Sequence, residues 1–92
     1  MKKAKPNQVR PGDLRVWNII NVPNEPVRYP VKDVGHGARL IEALADSQLL
    51  DKTIESNVFG LEIYEDGEWL EWESEDGDDI QAWAENNLES RD

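Results

Sequence analysis

The strongest constraint on this chain is the pair Asp66-Gly67, set between two runs of alternating apolar residues. A type I′ turn needs positive φ at both central residues, and Asp-Gly supplies it, so a two-residue β-hairpin is predicted over 58–73. Counting outward from the turn pairs Glu65 with Glu68, Tyr64 with Trp69, Ile63 with Leu70, Glu62 with Glu71, and Leu61 with Trp72. Successive side chains of a strand point to opposite faces. One face of the hairpin therefore carries Leu61, Ile63, Leu70 and Trp72 and reads as a core face. The other carries Gly60, Glu62, Tyr64, Trp69, Glu71 and Glu73, an aromatic pair inside a ring of carboxylates. Glu62 opposite Glu71 is a like-charge pair, which costs stability.

Around this hairpin the chain supplies two more strands and two helices. Leu14–Val22 reads as a strand with apolar residues on both faces, hence central or covered on both sides. Pro23 and Pro26 mark a connection, and Val27–Val31 reads as a short strand. Pro30 has no N–H to give to a ladder, so this strand belongs at an edge or bulges there. Asp33 is a good N-cap for a helix over Val34–Leu49, whose apolar stripe is Val34, Ala38, Ile41, Ala45 and Leu49, widened by Leu40 and Leu44. Gly35 and Gly37 weaken its first turn. Ile80, Trp83, Ala84 and Leu88 line one side of a second short helix, capped by Asp78 or Asp79. The expected fold is α+β: a small, mostly antiparallel sheet with a central hairpin and one or two helices packed on it. The expected division is a basic flexible arm, residues 1–12, and a single α+β domain, residues 13–90. The strand partner of Leu14–Val22 is not readable from the sequence.

The 92-residue chain has a net charge of −10, unevenly placed. Residues 1–50 hold eight Lys/Arg against five acids (8 − 5 = +3), and residues 51–92 hold two against fifteen (2 − 15 = −13). A field of that sign repels nucleic acid and anionic membrane and steers basic partners to the C-terminal half. The bland alternative is a solubilising surface. There is no cysteine, so there is neither a disulfide framework nor a thiolate metal site. No apolar stretch follows the basic start, so a signal peptide is not expected, and no apolar run is long enough to span a bilayer. A cytoplasmic location follows as the default.

The search for chemistry finds little. His36, the sole histidine, sits between two glycines near a helix start and reads as a surface or capping residue. A calcium loop fails in both registers: Gly77 at its sixth position puts Trp72 at the first, and Gly67 there puts Tyr64 at the third. There is no phosphate-binding glycine loop and no nucleophile elbow. No enzyme, cofactor or metal is therefore expected. The leading partner-binding set is Glu62, Tyr64, Trp69, Glu71, Glu73, Glu75 and Asp76. Such a set suits a basic protein surface, because aromatics anchor interfaces and acids steer encounter. A core position for Tyr64 and Trp69, under the N-terminal segment or the last helix, is the competing reading. One form of the partner reading is nucleic-acid mimicry, with carboxylates standing in for phosphates. The alternative function is binding of a small nucleotide signal by Arg15, Trp17, Arg28 and Arg39, with Tyr29 nearby. The oligomeric state, a homodimer included, stays open.

The segments L-R-V-W-N-I-I-N-V-P, Y-P-V, L-I-E-A-L-A-D-S-Q-L, S-N-V-F-G-L-E-I-Y-E-D-G-E-W-L-E-W and D-G-D-D-I, spanning Leu14 to Ile80, resemble a family of small bacteriophage proteins. Some of its members are named superinfection-exclusion proteins. The resemblance implies an accessory protein acting inside a bacterial host cell against a host defence or a competing phage. It carries over no binding residues.

Overall fold

The computed structural model describes residues 9–88. Four strands and two helices follow in the order β1 (Leu14–Ile20), β2 (Val27–Val31), α1 (Val34–Leu49), β3 (Asn57–Glu65), β4 (Glu68–Glu71) and α2 (Ile80–Asn87). The strands form one antiparallel sheet in the order β2-β1-β3-β4. This is the small α+β fold that the sequence pattern predicts.

The hairpin is the organising element in fact as well as in pattern. Asp66 and Gly67 both take positive φ, 54° and 83°, and all four strand pairs from Glu65–Glu68 to Glu62–Glu71 form as counted. The Trp72 N–H continues the ladder to the Leu61 carbonyl at 2.9 Å. Pairing of β1 with β3 places the N-terminal strand at the centre, with Val16 beside Leu61 and Trp17 beside Gly60. β1 ends at Ile20 and does not run to Val22 as expected. Asn21 adopts a left-handed φ of 57° there, a conformation asparagine tolerates. Its side chain accepts from the Glu55 N–H and donates to the Thr53 carbonyl, so it closes a loop and does not extend a strand.

Both helices lie on one face of the sheet. Asp33 caps α1 by accepting from the His36 N–H at 2.8 Å, and Asp79 caps α2 by accepting from the Ala82 N–H at 3.0 Å. The buried core is Val16, Ala38, Leu61 and Ile80, ringed by Leu14, Tyr29, Val31, Ile41, Trp72 and Trp83. Gly37 is buried where α1 meets the sheet; a Cβ there would lie 3.1 Å from the Leu61 side chain. The glycine that weakens the helix as a peptide thus lets it approach the strands closely. Beneath the last turn of α1, Asn18 on β1 is fully buried. Its Nδ2 donates to the Val58 carbonyl at 3.2 Å, and its Oδ1 accepts from Gln48 at 2.6 Å. Gln48 in turn accepts from Asn57 at 2.8 Å. A chain of three carboxamides therefore ties helix to sheet. Of the expected basic arm, residues 1–8 lie outside the described residues, as do residues 89 and 90 of the expected domain. The Gly12 N–H donates to the Tyr64 carbonyl at 2.8 Å.

Candidate functional site

The register divides the residues singled out from the sequence into three places. Arg15, Trp17, Glu62, Tyr64, Trp69 and Glu71 share the face of the sheet turned away from the helices, and Arg28 lies on the same face at the β2 edge. Two sets that the sequence offered as rivals are thus interleaved on one surface. Arg15 Nε lies 2.7 Å from Glu62 Oε1, with both side chains 22% exposed. The guanidinium also stacks on Trp69, its Cζ 3.9 Å from the ring centroid. A contact of this kind is worth roughly 0.5–1 kcal/mol. Tyr64 meets Trp69 edge-on at 5.2 Å. These aromatics are half-buried by Arg15 and by each other; the last helix lies on the opposite face. Arg39 stands exposed on α1, across the sheet from Arg15, Trp17 and Arg28. The four residues of the nucleotide-binding alternative therefore do not line one pocket.

Trp17 lies flat on Gly60: a Cβ at that glycine would fall 2.3–2.4 Å from three ring atoms. The Trp17 side chain also hydrogen-bonds the Glu71 carboxylate. Burial raises the pKa of Glu71 above the ordinary value; that hydrogen bond opposes the shift, and the like charges of Glu62, Asp79 and Glu73 reinforce it. A carboxyl with a raised folded pKa holds its proton longer in the folded state. Its contribution to stability is complete below the unfolded pKa of about 4.3 and is lost as pH rises through the folded value. Glu71→Gln keeps an acceptor for Trp17 and removes the charge. It is expected to raise stability at neutral pH by about 0.5 kcal/mol, the scale of a cross-strand charge pair. The difference from wild type should vanish near the unfolded pKa, which urea titrations at several pH values would measure.

Glu75 and Asp76 stand elsewhere, in the turn that links β4 to α2. The Ser74 hydroxyl accepts from the N–H groups of Asp76 and Asp78, and the Ser74 N–H donates to the Asp78 carbonyl at 2.9 Å. This tight loop holds its carboxylates beside a groove of about 590 Å³ lined by Trp72, Ser74, Glu75, Asp76, Asp78, Trp83, Asn86 and Asn87. Trp72 and Trp83 meet edge to face, 6.2 Å apart at 90°. The sequence pattern places both tryptophans on apolar faces and does not show that together they wall a concave surface. The clue in the sequence is that Trp72 ends the hairpin's apolar face and Trp83 lies on the apolar side of the second helix, with the densest run of acids in the chain around and between them. The groove combines two π-faces with anionic and amide oxygens, a chemistry suited to a cationic side chain.

His36 takes part in local capping: its Nδ1 accepts from the Lys32 N–H at 3.0 Å. Among the described residues no group of three His, Asp or Glu side chains is placed to hold a metal ion. No helix among them is long and apolar enough to cross a membrane.

Fold and surface together define a small, strongly acidic α+β domain whose sheet, among the described residues, is helix-covered on one face only. Residues 13–89 match the family model described as superinfection exclusion gene product 17, and the chain belongs to that bacteriophage family. It is not a known enzyme family. No curated protein and no solved structure matches the chain.

Proposed function

We propose that this protein serves superinfection exclusion as a non-enzymatic interaction protein, acting inside the infected cell. It binds a basic surface on a host or competing-phage protein and blocks or alters what that surface does. The observation that carries this reading is the groove at the end of the hairpin, where Trp72 and Trp83 stand beside Glu75, Asp76 and Asp78. An arginine or lysine of the partner enters the groove against the tryptophan wall while the carboxylates neutralise it. Cation–π contact supplies affinity and the surrounding negative field speeds encounter. The acids of the open face contribute less, because Arg15 already neutralises Glu62. Nucleic-acid mimicry is a special case in which the basic surface is a DNA-binding one.

The test is exclusion itself. Cells expressing the wild type should resist a second phage, and cells expressing Glu75→Lys/Asp76→Lys should not, with plating efficiency rising to that of cells without the protein. Both side chains are exposed, so circular dichroism should show an unchanged fold. Undiminished exclusion by the folded variant would overturn the reading. A partner captured by the wild type should be released by salt, and displacement of that partner by duplex DNA would identify mimicry.

A further inference from the structure

The open face of the sheet has a charge layout that matches itself after rotation. Reading across the strands in the order β2-β1-β3-β4, one row is Arg28, Trp17, Gly60 and, one step past the end of the regular ladder, Glu73. The next row is Pro30, Arg15, Glu62 and Glu71. Positive charge lies on the β2–β1 side and negative charge on the β3–β4 side. Between them sits an apolar strip: Trp17 flat on Gly60, Ile19, and Val58, which is 42% exposed. Pro30 is exposed at the β2 edge. No described element covers this face; both helices pack on the other.

We infer that the open face is a self-association surface, on which two copies of the chain pack sheet to sheet about a two-fold axis parallel to the strands. Such an axis exchanges the two edges of the sheet. Arg28 of each copy then lies over Glu73 and Glu71 of the other, and Arg15 lies opposite the other copy's Glu62. Like charges meet nowhere across the central rows. An axis perpendicular to the strands and level with that first row would set Arg28 against Arg28 and Glu73 against Glu73, which selects the first arrangement. Trp17 supports close approach, because a ring laid flat on a glycine leaves a low apolar floor for sheets that pack about 10 Å apart. Four strands and five paired residues make a face of about 19 by 17 Å. That is small for a stable complex, so the dimer is expected to form reversibly and with concentration. It uses residues distinct from the groove, so dimerisation and partner binding are separable.

Sedimentation equilibrium of the full chain, from low micromolar to millimolar, tests this. Wild type is expected to shift from monomer to dimer, with the shift weakened by salt. Arg28→Glu and the double variant Glu71→Lys/Glu73→Lys should each remain monomeric while keeping wild-type circular dichroism. Mixed one to one, the two variants should form a heterodimer, since each then faces the opposite charge. A wild type that stays monomeric throughout overturns the inference. So does a dimer that Arg28→Glu leaves intact, or a mixture that fails to associate.

Discussion

Asn18→Leu is expected to destabilise the fold by about 3 kcal/mol. The substitution keeps the number and branching of the heavy atoms and adds apolar surface at a site that is 0% exposed, so hydrophobicity alone would favour it. The opposing effect is a stranded amide. Gln48 is itself buried and gives its Nε2 proton to Asn18 Oδ1 at 2.6 Å. With leucine there, that donor has no partner and no water, a penalty of about 1–3 kcal/mol. The Val58 carbonyl also loses a donor. The double variant Asn18→Leu/Gln48→Leu removes both ends of the bond, and Asn57 is exposed and able to turn to solvent. It should regain at least half of the loss. Urea denaturation of the four proteins in the cycle measures the coupling; additive losses would show that the pair does not act as a unit.

The second large effect is expected at Gly60. A methyl group there would lie 2.3 Å from Trp17 Cε2 and 2.4 Å from its Nε1, well inside contact distance. The ring is rigid and must leave as a whole, taking with it the Trp17–Glu71 hydrogen bond. Gly60→Ala should therefore cost about 3 kcal/mol, at the upper end of overpacking changes. It should also shift tryptophan emission to the red as Trp17 enters water. Adding Trp17→Leu should recover stability, because the smaller side chain makes room for the methyl. A loss unchanged by that second substitution would place the strain in the backbone of β3 instead.

These two sites mark where the sequence was legible and where it was not. The hairpin pairs came out one for one because they follow from a turn type and a period of two, both local. The Asp33-capped helix over Val34–Leu49 and the cap at Asp79 were equally local, and both are present. What β1 pairs with is a long-range fact, set by packing and not by spacing. That pairing brings Arg15 to Glu62 across 47 residues and lays Trp17 on Gly60. It turned an expected like-charge penalty at Glu62–Glu71 into a partly neutralised cluster, and it merged two candidate sites while leaving Arg39 behind. Asn18 is masked in the pattern because Val16 and Ile20, two residues to either side, set the core-facing parity. A polar residue in step with them was the available clue to a buried amide chain. The tryptophan-walled groove depends on where α2 lands, which no local rule gives.

Pro30 carries one further meaning. Hydrogen bonding in an antiparallel ladder alternates along each strand. The Trp72 N–H to Leu61 carbonyl bond therefore turns Glu62 inward to β1 and Arg15 inward to β3, so Pro30, opposite Arg15, faces outward. The nitrogen without a proton thus sits on the exposed rim, where an incoming strand would seek a donor. The far rim, β4, is four residues long and begins and ends in glutamate. Neither rim is a good template for a fifth strand. The sheet is closed to lengthwise growth by a missing proton on one side and by charge on the other. The chain is thereby guarded against edge-to-edge growth into fibres.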